Sequence, residues 1–100
     1  MFVLPFVALL IGCESTPPEY ASGFTRQAFE ALPLGSSQEQ ALASLGEPLD
    51  RWYRWGEQGA VVEAYWAYSR RRELGSLYFD VLVFSPDGRL IARHEDYFVD

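Results

Sequence analysis

The chain lacks lysine and asparagine altogether and has a single cysteine, Cys13, and a single histidine, His94, in 100 residues. One cysteine excludes an intrachain disulfide and the multi-cysteine zinc sites. With no lysine, the basic charge rests on eight arginines against 14 acids, a net charge of −6. That balance suits nucleic-acid phosphate poorly, so no nucleic-acid partner is expected. No serine sits in a nucleophile-elbow pattern and no Gly-rich phosphate loop is present. The expectation is a protein without cofactor or enzymatic activity. What the chain does have is apolar surface to bury: 49% hydrophobic and 16% aromatic residues. This places it in the globular class, at a length that supports one domain. A domain this short buries only about two-thirds of its unfolded surface. Large rings such as Trp52, Trp55 and Trp66 compensate, each burying roughly 150–250 Å².

Residues 1–12, MFVLPFVALLIG, carry no charged side chain. As a helix they would span about 18 Å, short of a hydrocarbon core of about 30 Å. The segment fits the apolar region of a secretory signal instead. Leu10-Ile11-Gly12-Cys13 resembles a bacterial lipobox, in which a small residue precedes the cysteine that is acylated and becomes the first residue. Several acyl chains on Cys13 would anchor the protein stably, since anchoring takes two lipid signals or more. Glu14, rather than Asp, follows the cysteine and favours the outer membrane. Residues 13–21 are polar and contain Pro17 and Pro18; they read as a flexible lipid-anchored tether. The domain is then 22–100.

Within it, Phe24, Ala28 and Leu32 are spaced as one helix face, and Pro33 ends the pattern. Ser22 or Thr25 is the candidate cap. A second helix over 37–45 follows Gly35, with Ser36 and Glu39 or Ser37 and Gln40 as a capping box, then Gly46 and Pro48 as a stop. Beyond Pro48 the spacing becomes strand-like: 49–55, 61–69, 77–84 and 90–98, with turns at 56–59 and 85–88 and a polar loop at 70–75. Leu77, Phe79, Val81 and Val83 alternate with Tyr78, Asp80, Leu82 and Phe84. The expected fold is α+β: two N-terminal helices packed on one face of a small antiparallel sheet of three to four strands. The other face is also apolar, to be covered in part by the 70–75 loop or the tail, any remainder being an aromatic patch for a partner.

The candidate interaction residues are few. Arg70, Arg71 and Arg72 form the one basic cluster and suit lipid phosphate, which arginine binds through two hydrogen bonds. The alternative is a solvated loop. Trp52 and Trp55, three apart, face opposite sides of a regular strand, so one belongs to the core and the other is a candidate binding anchor. Asp80, Asp87, Glu95 and Asp96 read as solvated strand and turn acids. His94 lies among charges without catalytic or metal partners at suitable spacing.

The run from Leu34-Gly35 through the capped helix to Leu45-Gly46-Glu47-Pro48 resembles the signature of the SmpA/OmlA domain of BamE-like lipoproteins. Trp66-Ala67-Tyr68, Val81-Leu82-Val83-Phe84 and Asp87-Gly88-Arg89-Leu90 match its later strands and turn. The resemblance covers residues 29–92. It implies two helices against a small antiparallel sheet. It also implies a role as an accessory of outer-membrane β-barrel assembly, contacting a partner lipoprotein and anionic lipid. The Gln-Gly-Asn stretch that precedes the first helix in BamE proper is not evident here, so no partner-contacting residue is carried over. The resulting expectation is a periplasm-facing outer-membrane lipoprotein that binds an envelope protein and acts in barrel assembly or envelope integrity. Its rival is an inhibitor-like periplasmic module that binds an envelope enzyme.

Overall fold

A computed structural model of the protein describes residues 17–99; the leader, Cys13 and the first tether residues lie outside the described residues. The elements are β1 (Glu19–Tyr20), α1 (Arg26–Ala31), α2 (Gln38–Leu45), β2 (Asp50–Trp55), β3 (Val61–Glu73), β4 (Ser76–Phe84) and β5 (Leu90–Val99). The architecture is α+β, with two helices and a five-stranded antiparallel sheet among the described residues. β3 is its axis. β2 and β1 lie end to end along one edge of β3, β4 lies along the other, and β5 lies outside β4.

Local chemistry sets the helix ends. The Ser37 hydroxyl accepts the Gln40 N–H at 3.1 Å, and the Gln40 side chain accepts the Ser37 N–H at 2.8 Å. Of the two capping boxes the sequence allows, the second forms, and it satisfies two otherwise free donors. Gly46 closes α2 at φ +73°, a conformation that favours glycine. Thr25 caps α1 by accepting the Ala28 N–H at 3.0 Å. Leu32, before Pro33, is extended at φ −68° and ψ 119°, as a residue preceding proline must be. The carbonyls freed at that end are taken by Arg93 of β5, whose guanidinium donates to Phe29 O at 3.0 Å and to Leu32 O.

The helices cover one face of the sheet. Phe29, Leu32, Ala41 and Leu45 pack on Ala64, Trp66, Tyr68, Leu82, Phe84 and Leu90. The buried Tyr68 hydroxyl donates to Gly46 O at 2.8 Å, tying β3 to the end of α2. The loop before α1 passes just as close. A Cβ on Gly23 would lie 2.6 Å from the Leu45 carbonyl oxygen, and backbone cannot swing aside as a flexible side chain can. Gly23→Ala should therefore cost roughly 1–3 kcal/mol, read as a lower urea midpoint with an unchanged slope. A midpoint equal to wild type would contradict this packing.

The structure differs from the sequence reading in three places. Residues 19–21, assigned to the tether, belong to the fold: Glu19 and Tyr20 pair with Arg70 and Ser69, and Ala21 is buried. This supplies the fifth strand. The expected loop at 70–75 is mostly strand, and the connection is only Leu74 and Gly75. A bulge at Tyr68, between Ala67 and Ser69, re-phases the alternation. It sets Ser69 opposite Asp80 and lets the arginines continue the ladder against Phe79, Tyr78 and Leu77. Asp80, expected to be solvated, is buried on the helix-covered face. It accepts the Ser69 hydroxyl at 2.6 Å and the Arg26 guanidinium at 2.8 Å.

Candidate functional site

The face away from the helices is filled by its own rings. Ala67, Phe79, Val81 and Val83 are buried there. Trp52 lies over them, stacked on Tyr65 at 5.8 Å between centroids and edge-on to Phe79 at 5.3 Å and Phe98 at 6.2 Å. The tail thus covers part of this face by contributing Phe98, which is itself half exposed. Trp52 is the inward member of the tryptophan pair. Trp55 is 60% exposed and lies beside the exposed Tyr53, ring centroids 6.1 Å apart. Tyr53 and Trp55, two residues apart on β2, share a face by the ordinary alternation of a strand; the extra residue at the register shift beside them, Val62, lies on β3.

The arginines lie on the last stretch of β3, away from Trp55, which pairs with Val61 at its start. The candidate residues therefore form two surfaces rather than one. At the hairpin end, Arg70 Nε donates to Glu19 at 2.7 Å. Arg71 donates to Glu95 at 2.6 Å and to Glu73 at 3.1 Å, with its guanidinium 4.8 Å from the Tyr78 ring centre. These carboxylates raise the pKa values of both arginines, and the Arg70 hydrogen bond lowers that of Glu19. Pro17, Glu19, Arg70, Arg71, Arg72 and Leu77 line a shallow depression here. At least Arg70 and Arg71 are engaged with acids of the same domain while staying partly open to solvent.

Glu63 and His94 are likewise held by neighbours. Glu63 accepts from Arg54 at 2.9 Å and from the Tyr65 hydroxyl at 2.7 Å; these donors, Arg54 first, keep its pKa below the usual carboxylate value. His94 Nδ1 lies 3.0 Å from Asp96, on the same side of β5. Among the described residues, no three of His, Cys, Asp and Glu gather as metal ligands, and no helix is long and apolar enough to cross a membrane.

Sequence reasoning missed Leu74, Arg93 and the Asp80 cluster. The Leu-Gly pair between two strand-like runs carries a hairpin signal, because its glycine suits positive φ. The partners of Arg93 and Asp80 are remote in sequence, and no local pattern reveals them. Compared with protein-family models and with curated proteins, the chain gives no match.

Proposed function

We propose that the protein is an outer-membrane lipoprotein, held by lipid on Cys13 and facing the periplasm. It acts there as a non-enzymatic protein-binding accessory in β-barrel assembly or envelope integrity. The observation that carries the protein-binding part is the exposed pair Tyr53 and Trp55. Trp and Tyr dominate binding hot spots, because one ring buries much area at small entropic cost. The pair sits on β2 opposite the start of β3, whereas the chain leading from Cys13 joins the sheet beside Arg70, near the end of β3. Twelve residue steps along β3 separate Val61 from Glu73, up to about 40 Å of strand. A domain anchored at one end thus presents its aromatic pair away from the anchor. Two helices that precede strands β2–β5 and pack on one face of the sheet also accord with the BamE-like arrangement that the sequence resembles.

Photocrosslinking in cells from position 55 tests this reading. The expected product joins the protein to a component of the barrel-assembly machinery, and Trp55→Ala should weaken that association about tenfold or more. A gene deletion that changes neither barrel-protein levels nor detergent sensitivity would contradict the role. A crosslink to one periplasmic enzyme alone would favour the inhibitor-like reading.

A further inference from the structure

The connection between β3 and β4 is a two-residue hairpin with Leu74 at φ +48° and Gly75 at φ +82°. Positive φ at both central positions is the type I′ pattern, in which Asn, Asp or Gly normally occupies the first position. Leucine there carries a steric penalty that short polar residues largely escape. Its side chain gains nothing from the domain in return: Leu74 is fully exposed, at 104% of its reference area. A residue that suits neither the turn nor water points to a third environment.

The path of the chain indicates which. Pro17 lines one depression together with Arg70, Arg71, Arg72 and Leu77, and Glu19 pairs with Arg70. Only four residue steps separate Cys13 from Pro17, at most about 14 Å when fully extended. Leu74 lies four residues beyond Arg70, about 13 Å along the strand. A lipid on Cys13 therefore keeps this hairpin within reach of the same bilayer. Behind the tip, two to three residues along the ladder, are exposed aromatic rings of the kind that gather at membrane interfaces. Tyr97 is 61% exposed and pairs with Tyr78, and Phe98 is 50% exposed and pairs with Leu77. Arg70 and Arg71 are bonded to Glu19, Glu73 and Glu95, so part of the charge at this end is offset within the domain, whereas the tip itself is apolar.

We propose that the tip formed by Leu74 and Gly75 is the membrane-facing point of the domain, with the Leu74 side chain entering the bilayer interface. The proposal rests on the reading that Cys13 is acylated. One leucine binds a bilayer weakly by itself; the lipid anchor makes its insertion intramolecular and hence effective. The consequence is orientation: β3 stands away from the membrane and carries Trp55 outward.

The test uses the full lipoprotein, its acylation confirmed by intact mass, reconstituted in phosphatidylcholine vesicles. A polarity-sensitive fluorophore is attached to Leu74→Cys, with Asp87→Cys at the opposite turn as the control. The expected result is a blue shift and several-fold stronger quenching by nitroxide-labelled lipid at position 74 than at position 87. A second variant separates insertion from folding. Leu74→Asn suits the turn and should melt no lower than wild type, yet it should reduce lipid quenching of a label at Tyr97→Cys several-fold. Equal, water-like signals from positions 74 and 87 in acylated protein overturn this inference alone. Quenching that appears only when phosphatidylglycerol is added overturns the apolar contact in favour of arginine and headgroup. Disulfide crosslinking between position-74 thiols without lipid quenching overturns it in favour of a second copy. Absence of acyl mass overturns the anchor reading and this inference together.

Discussion

Phe84→Ala should lower the stability of the domain by about 3–5 kcal/mol and leave much of it unfolded at 37 °C. Phe84 is completely buried, with its ring centre 4.8 Å from that of Trp66. It pairs with Ala64 on one side and Leu90 on the other. Of its neighbours, Ala64 is too small to fill the space the ring leaves, and Trp66 carries the Arg51 guanidinium over its own ring at 4.7 Å. A domain of this size holds on the order of 5–10 kcal/mol, so this one ring is a large share of the total. Urea unfolding followed by tryptophan fluorescence measures the change. Phe98→Ala makes the comparison, because Phe98 is half exposed and its loss should cost less than half as much. Equal effects of the two substitutions would contradict the assignment of the main core to the helix-covered face.

The second large effect concerns Asp80. Burial opposes its charge most strongly, but hydrogen bonds from Arg26 and Ser69 outweigh that and hold its pKa below the ordinary carboxylate value. The Ser69 hydroxyl also accepts the Asp80 N–H at 3.2 Å, so side chain and backbone form one closed unit. Asp80→Asn removes the charge and leaves Arg26 without its nearest anion. Losing one partner of a buried pair costs about 3–5 kcal/mol; because Arg26 is half exposed and can turn to water, about 2 kcal/mol is expected. The pH dependence has a defined sign. A carboxylate whose folded pKa is depressed stabilises fully above its unfolded value, about 3.9, and loses that contribution as pH falls through the folded value. The gap between wild type and Asp80→Asn should therefore be constant from pH 7 to about 5 and narrow below pH 4. A gap that stays constant to pH 2 would show that the charge is not what Asp80 contributes.

Sequence and structure agree wherever the determinant is local. Ser37 and Gln40 bond each other three residues apart, and Gly46 takes the positive φ that its place after the helix calls for. The alternation of Leu77 through Phe84 divides the two sheet faces as expected. Disagreement begins where a residue's environment comes from far along the chain. Arg70, Arg71 and Arg72 read as a polar loop because polarity was the local signal. They continue a strand paired with Phe79, Tyr78 and Leu77 across the Leu74-Gly75 turn, and the acids that bond Arg70 and Arg71 there include Glu19 from 51 residues away and Glu95 from 24. Asp80 read as solvated because Arg26, 54 residues earlier, is invisible to strand periodicity. Arg93 read as part of a polar strand although it closes α1 from more than 60 residues away. The tryptophan pair falls between these cases. Spacing separates Trp52 from Trp55, but the packing of Phe79 and Phe98 decides which is covered.

The two candidate surfaces differ in the same way. Trp55 is singled out by residue type, since a large ring at the end of a polar strand segment is conspicuous. Leu74 is not, because an exposed leucine is common and needs no explanation by itself. It becomes informative only through its backbone conformation and its nearness to the chain arriving from Cys13. Both surfaces take their meaning from the proposed acylation of Cys13, under which one end of β3 lies near lipid and the other is left for a partner.

The anchor is therefore the claim to test first. The intact mass of the protein extracted from its native membrane, with Cys13→Ala as control, does so directly. The account predicts a mature chain that begins at Cys13 and carries added acyl mass, and a control with none that is released from the membrane. A wild-type chain that keeps residues 1–12 and an unmodified thiol would contradict it.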